Sequence, residues 1–487
     1  MTTPAPILAL DLGTTSAKGF LVHANGDIAA SQQRFYDTTF PQPGFAEQDP
    51  KIIFAAVTAL LRELISHTPP TAVCFSAAMH SLLVVDAQGQ PLTRAIIWSD
   101  TRSANQAQRL AAEERAPTWY ERTGTPIHPM SPLCKLVWLK ENQRAVFDAG
   151  FKFISIKEYI LFQLTGEWVI DYSIASATGL FDVAALDWYK PALEMLGLSR
   201  EKFSQPVPGT TMLKARAGIL ENAMEQIPLI AGASDGCLAQ LGSDAMGPHD
   251  VTITLGTSGA VRVASHQPLI DLQQRIFNYL LDSDTRICGG ATNCGTALVD
   301  WYTKNMDPTA AGNLNDFINE VRDVSPGCDG LIMLPHLLGE RAPVYLPEGR
   351  GAFVGIHMQH SKKHFQRAVL EGIFFQLRWI LERVEQVAGT RKNIFVSGGL
   401  TRATSGMQML ADVLGKPLIV QHEADASAMG AAKMGFDALG IPWSFSARPA
   451  NVIEPNHEVK SMYDVAYRRF RTLFTALNQI DYNPPAV

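Results

Sequence analysis

Asp11 ends a short apolar run that begins at Ile7, and Gly13, Thr14, Thr15 and Ser16 follow it before the chain resumes at Gly19 and Phe20. The pattern reads as a strand, a hydroxyl-rich turn and a second strand. Glycine lets backbone approach a ligand closely, and successive turn N–H groups can converge on an anion, so the turn suits a phosphate. Asp11 is placed to hold a magnesium ion, directly or through its waters. An ordinary Gly/Thr hairpin turn would use the same residues. Val251 to Val263 (VTITLGTSGAVRV) repeats the pattern, with Thr254 where the first copy has Asp11. A duplicated strand-turn-strand points to two related halves, each offering a phosphate loop to a shared cleft, with the metal-side carboxylate in the first half only.

Asp235 is the second carboxylate of interest. It follows the strand-like run from Ile227 to Gly232, among small residues that leave room for a substrate and where partial burial can tune its pKa. A helix N-cap for Leu238–Leu241 is the competing use of the same oxygens. Gly232 to Gly236 (GASDG) also fits the G-x-S-x-G nucleophile elbow, which would make Ser234 a hydrolase nucleophile with a His such as His336 or His422. That reading leaves both phosphate loops unexplained. Met79 and His80 fall where the strand Ala72–Ser76 ends, the edge at which open α/β sheets bind ligands; a satisfied structural histidine is the alternative. Arg102, at the end of the Ala95–Trp98 strand, suits a carboxylate or a polyol, and equally a salt bridge with Asp100. Asp171 to Gly179 is too polar and small for a core helix, so it lines a site or packs closely.

Local signals place these residues on elements. Asn25-Gly26 predicts a hairpin pairing Gly19–His23 with Asp27–Ser31. Asp49-Pro50 opens a helix carrying Ile53, Val57, Leu60, Leu61 and Leu64. Ser131-Pro132 opens another, and Gly166 closes one running from Lys157 to Thr165. Asn393–Ser397, Gly398-Gly399, Met407–Leu414 and Pro417–Val420 form a β-turn-α-β unit with a glycine pair at the helix entrance. At 487 residues the chain exceeds one hydrophobic core, and the Gly/Asp/Pro-rich stretch Gly242–Asp250 suggests domains at 1–245 and 246–487. A formal charge of −6 without a basic stripe argues against nucleic acid as a partner. The N-terminal apolar run stops at Asp11 with no positive n-region, so neither a signal peptide nor a membrane span is expected and the protein should be cytosolic. Six scattered cysteines read as reduced core residues. The tail Asn483-Pro484-Pro485 reads as frayed. Walker, G-x-G-x-x-G and H-E-x-x-H motifs are absent, so a nucleotide must use the paired turns.

Two long patterns carry a family resemblance. Met130 to Asn142 (MSPLCKLVWLKEN), and Gly351 to Ile356 (GAFVGI) continuing through His364 to Glu371 (HFQRAVLE), are similar to the two signatures of the FGGY carbohydrate kinases. The resemblance covers the whole chain. It implies an α/β architecture of two ribonuclease-H-like domains, of the actin, Hsp70 and sugar-kinase type, flanking an active-site cleft. It implies ATP and Mg2+ as cofactors, with Asp11 on the metal side and Asp235 as catalytic base. Gly13, Thr14, Thr15, Ser16 and Lys18, with Gly256, Thr257 and Ser258, resemble the two phosphate motifs; Gly398 and Gly399 resemble the adenosine motif, and Gly295 joins this ATP-binding set. Met79, His80, Trp98, Asp100 and Arg102, with Asp235, lie on the sugar side. Within the family, Ser76–Ser81, Asp171–Phe181 and Gly339–Pro343 look most like gluconate kinases, although Val344 to Pro347 departs from the Trp-Asn pattern of that branch. The implied reaction is ATP-dependent phosphorylation of D-gluconate at its 6-hydroxyl. Its anionic substrate needs a cation, for which Arg102, His80 and Lys157 are candidates. Xylulose or another polyol is the alternative acceptor, and a non-catalytic sugar sensor the alternative of another class. The expected partners are a small sugar or sugar acid and ATP, with no nucleic acid and no membrane; a homodimer is the assembly considered.

Overall fold

A computed structural model describes residues 5–219, 225–308, 314–346, 349–420, 425–444 and 451–480. Pro347, His422 and Asn483-Pro484-Pro485 lie outside these residues. The chain forms two compact units. The first is Met1–Met246 with Ala264–Cys288 and Asp425–Ala447; the second is Gly247–Val263, Gly289–Ala424 and Arg448–Val487.

In the first unit, β1 (Ile7–Leu12), β2 (Ser16–Val22), β3 (Ile28–Phe35), β4 (Ala72–Ala77), β5 (Met212–Leu213) and β6 (Leu229–Ser234) make a sheet in the order β5-β6-β4-β1-β2-β3. The hairpin expected at Asn25-Gly26 joins β2 to β3, with Gly26 in the left-handed region at φ 86°. β1 runs antiparallel to β2 and parallel to β4, which also runs parallel to β6. Central β1 and β4 are buried along their whole length, whereas edge strand β3 is largely exposed. Their apolar runs, without alternation, are what a sheet covered on both faces requires. Helix α1 (Pro50–His67) starts where Asp49 caps Lys51 N, and it buries Ile53, Val57, Leu60, Leu61 and Leu64. Helices α2 (Pro132–Asn142) and α3 (Ile156–Thr165) are capped by Ser131 and Ser155, and α3 ends on left-handed Gly166. The segment from Asp171 folds as the short buried helix α4 (Tyr172–Ser176), so close packing describes it.

In the second unit, β7 (Asp250–Leu255), β8 (Gly259–Ser265), β9 (Arg286–Thr292), β10 (Asn393–Ser397), β11 (Leu418–Val420) and β12 (Asn451–Ile453) are ordered β9-β8-β7-β10-β11-β12. Here β7 repeats the relations of β1, antiparallel to the strand that follows it and parallel to a later one, β10. Asp11 stands opposite Ser76 in the parallel ladder of the first unit, and Thr254 opposite Ser397 in that of the second. All six cysteines are buried free thiols. Among the described residues no helix is long and apolar enough to cross a membrane.

Candidate active site

The loop between β1 and β2 is closed by Gly13 N–H donating to Ser16 O at 3.0 Å. Side chains behind it fix its shape. Tyr36 donates its hydroxyl to Gly13 O at 2.5 Å, Gln48 Nε2 donates to Thr14 O, and Trp98 Nε1 donates to Thr14 Oγ1 at 2.9 Å. Tyr36 also donates its backbone N–H to Thr15 O, and Gln33 Nε2 donates to Ser16 Oγ. Trp98, expected on the sugar side, thus braces the β1–β2 loop.

Asp11 lies at the end of β1, buried, and accepts from Ser76 Oγ at 2.5 Å. Burial, then the Asp425 charge, and more weakly Asp235, hold its carboxyl well above the ordinary carboxylate range; Ser76 and Lys18 pull the other way. Lys18 Nζ pairs with Asp425 Oδ2 at 2.9 Å. Two carboxylates, Asp425 in contact and Asp11 opposite it in the β1–β2 ladder, therefore share one ammonium. Hard oxygen donors with surplus negative charge fit a magnesium ion, whose charge would offset the burial and repulsion that raise Asp11. Asp425 was not singled out in the sequence; an Asp two residues before a Ser-Ala-Met-Gly helical run was its only local sign.

Asp235 is the first residue of α5 (Asp235–Gly242), and Ser234 Oγ is the cap, accepting from Cys237 N at 3.3 Å. The cap role weighed for Asp235 therefore belongs to its neighbour, and the Asp235 carboxylate makes a 2.6 Å contact with Gly236 N–H instead. Three features aim it. Gly232, at φ 71°, sits in a register shift of β6 against β4, where a Cβ would lie 1.7 Å from Phe75 O; such a bulge redirects the strand end. Lys157 Nζ, buried, donates to Ala233 O at 3.1 Å and pairs with Asp171 Oδ2 at 2.8 Å. Ser173 Oγ on α4 donates to Ser234 Oγ at 2.7 Å. Ser234 is fully enclosed and spent on this network, so its hydroxyl is not presented as a nucleophile; His336 is bonded to Gln376, and His422 lies outside the described residues.

The residues expected on the sugar side do not all meet in one place. Met79 and Trp98 line one hollow with Leu12, Gly13 and Thr14. His80, left-handed at φ 68°, donates from Nδ1 to Ala177 O at 2.8 Å and meets Tyr279 OH through Nε2 at 3.4 Å. A carbonyl only accepts, so Nδ1 carries the proton. Asp100 has no exposed surface; it accepts from Ala46 N at 2.6 Å and from Arg102 Nη2 at 2.7 Å. Arg102, its side chain 2% exposed, also pairs with Glu47 at 2.7 Å and lies over the Phe45 ring. The sugar contacts expected of Asp100 and Arg102 thus give way to a buried ion triad that anchors the Trp98 segment. Lys135, within the first signature, ties the His80 segment to the strand before Trp98: its Nζ donates to the carbonyls of His80 at 2.6 Å, Ile97 at 2.8 Å and Ile96 at 3.2 Å. Burial pushes its ammonium down to about 7, against the pull of Asp100.

In the second unit the β7–β8 turn, Gly256 to Ser258, is tied by Gly256 N–H donating to Ser258 O at 3.0 Å. It receives the start of α6 (Thr296–Asn305) through Thr296 N–H to Gly256 O at 2.9 Å. Gly295 and Gly398 are required by packing: a Cβ would lie 2.5 Å from Gly256 O at the former and 2.4 Å from Leu255 O at the latter, where φ is 101°. Gly256 and Gly399 have open space around a Cβ. Five of the six residues expected to hold nucleotide here, Gly256, Thr257, Ser258, Gly295 and Gly398, thus meet at the end of β7, and Gly399 follows directly.

Residues 6–242 match the N-terminal domain model of the FGGY family of carbohydrate kinases, and residues 251–439 match the C-terminal domain model. A gluconokinase of Bacillus subtilis (strain 168) is 35% identical over 97% of this chain and 96% of its own. The crystal structure of a gluconate kinase from Lactobacillus acidophilus superposes with a TM-score of 0.90 at 30% identity, covering 97% of this chain and 98% of that one. A ligand-bound xylulose kinase from Lactobacillus acidophilus gives the same values.

Proposed function

Given that the chain belongs to the FGGY family of carbohydrate kinases, we propose that it phosphorylates D-gluconate at the 6-hydroxyl, with ATP as donor and Mg2+ on the Asp11 side. The observation that carries the gluconate reading is the 35% identity to a gluconokinase over nearly the whole of both chains. Xylulose is the second reading, favoured by the equal likeness to a xylulose kinase structure.

Asp235 accepts the proton of the 6-hydroxyl as its oxygen bonds to the γ-phosphorus and ADP departs. The proton ends on the carboxylate and the phosphoryl group on the sugar, so atoms and charge balance. That Ser234 and not Asp235 caps the helix supports this role. Thr14, Thr15, Ser16 and Lys18 hold phosphoryl oxygens from a loop already fixed by Tyr36, Gln48 and Trp98, which limits reorganisation during transfer. A divalent cation beside Asp11 would supply further charge neutralisation. Gly256, Thr257, Ser258, Gly295, Gly398 and Gly399 receive the nucleotide. The glycines at 256 and 399, which no protein contact demands, suit a ligand that lies close to backbone.

The test is ADP release from Mg-ATP with gluconate, xylulose, glycerol or no sugar, beside Asp235→Asn. Gluconate-dependent release should fall by about 10²–10⁴-fold in the variant, the usual scale of general-base catalysis. Release with xylulose alone would replace the substrate and keep the mechanism. Near-normal turnover of Asp235→Asn would remove Asp235 as base.

A further inference from the structure

Asp11 and Lys18 are direct partners in the β1–β2 ladder. Directly opposed residues of antiparallel strands share a face, with Cβ atoms about 4.5–5.5 Å apart, so the default contact for the Lys18 ammonium is the Asp11 carboxylate. That contact is not the one formed. Lys18 Nζ lies 2.9 Å from Asp425 Oδ2, while Asp11 Oδ1 is taken by Ser76.

Asp425 is built for this. It caps α7 (Ala426–Ala438), and its two oxygens have separate work: Oδ1 accepts from Ser427 Oγ at 2.6 Å and from Ala428 N at 3.4 Å, and Oδ2 accepts from the lysine. Its side chain is 11% exposed against 36% for Lys18, so the carboxylate is the fixed partner and the lysine the movable one. Helix α7 is itself held close to α5, with Gly430 so near Leu238 O that a Cβ would lie 2.0 Å from it.

We propose that Asp425 is a positioning residue that holds the Lys18 ammonium off Asp11, leaving the Asp11 carboxylate open to a divalent cation and the ammonium free to face phosphate. The inference rests on the reading of Asp11 as the metal-side carboxylate. A lysine paired with Asp11 would neutralise it and occupy a donor oxygen, so removing the Asp425 charge weakens cation binding even though no atom of Asp11 changes.

Binding of Mn2+ at saturating ADP, measured by the EPR signal of free Mn2+ without turnover, tests this. Asp425→Asn keeps a helix cap as good as Asp, so its melting temperature should stay near wild type while Mn2+ binding weakens by up to about fivefold, the scale of a partly exposed ion pair. Asp425→Glu should bind as wild type. Combining Asp425→Asn with Lys18→Met should recover most of the loss, because no ammonium is left to move onto Asp11. Should Asp425→Asn fail to fold, Asp425→Ser supplies a second neutral cap. Wild-type binding in Asp425→Asn, with binding lost in Asp11→Asn, would make Asp425 a helix cap only. A double variant as weak as Asp425→Asn would overturn the lysine's part. Undiminished binding in Asp11→Asn would remove the metal-side reading itself.

Discussion

Ser234 and Asp235 are neighbours with opposite fates, and the difference is a matter of which oxygen reaches the helix. Ser234 Oγ caps α5, so Ser234→Ala should cost about 1 kcal/mol of stability, as lost caps do, and leave sugar-dependent turnover within a few-fold of wild type. A collapse of turnover in that variant, with the fold intact, would return Ser234 to the chemistry. Lys135 offers a test of the scaffold. Its ammonium titrates at 10.5 in an unfolded chain and at about 7 in the fold, because burial disfavours the charge. Between those values the unfolded chain holds a proton that the native chain lacks, so stability rises with pH, by up to about 1.4 kcal/mol per unit. Lys135→Met has no such contribution. The stability of wild type relative to Lys135→Met, from urea unfolding at several pH values, should therefore grow from pH 7 to 9 and stay flat below 7; a gap that shrinks as pH rises would refute the assignment.

Glycine has two different meanings on the elements of this fold. At Gly242, the last residue of α5, a Cβ would stand 1.8 Å from Ala426 O of α7, a backbone atom that cannot step aside. The helix that begins at Asp235 and the one that Asp425 caps are locked together by that contact, so Gly242→Ala should lose about 3 kcal/mol or more and displace both carboxylates. Gly399 has no protein atom within reach of a Cβ. Gly399→Ala should melt as wild type and weaken ADP binding, measured by calorimetry; an unchanged dissociation constant would separate this glycine from the nucleotide. The sequence distinguishes strand and turn at both sites well, because Gly-Thr-Thr-Ser and Ser-Gly-Gly turns are local chemistry. It does not distinguish a glycine kept for packing from one kept for a ligand, since that depends on neighbours brought by the rest of the chain.

At the scale of the whole molecule, the duplicated strand-turn-strand was legible because each copy is thirteen contiguous residues with its own turn, and the two ladders repeat one another down to the Asp11–Ser76 and Thr254–Ser397 positions. The ion triad around Arg102 was not, because Glu47 and Asp100 reach it from separate segments. Asp425 was hidden for the same reason: its partner Lys18 is 407 residues away, and no local pattern reports such a pairing. The compact first unit takes Ala264–Cys288 and Asp425–Ala447 as well as Met1–Met246. Those segments supply Tyr279 beside His80, Leu280 N–H for Ser176 Oγ, and α7, whose Gly435 lies against Ile7 of β1. A fragment ending at Met246 would therefore uncover one face of its central strands and leave Lys18 without Asp425. Uncovered apolar area of this kind costs about 25 cal/mol per Å2, enough at a central sheet to exceed a typical net stability. The fragment 1–246 alone should accordingly show no cooperative thermal transition and bind a hydrophobic dye, while the full chain melts cooperatively. A fragment that melts sharply would mean that the core of Leu8, Leu10, Leu64 and Phe75 suffices, and that the later segments serve the site rather than the fold.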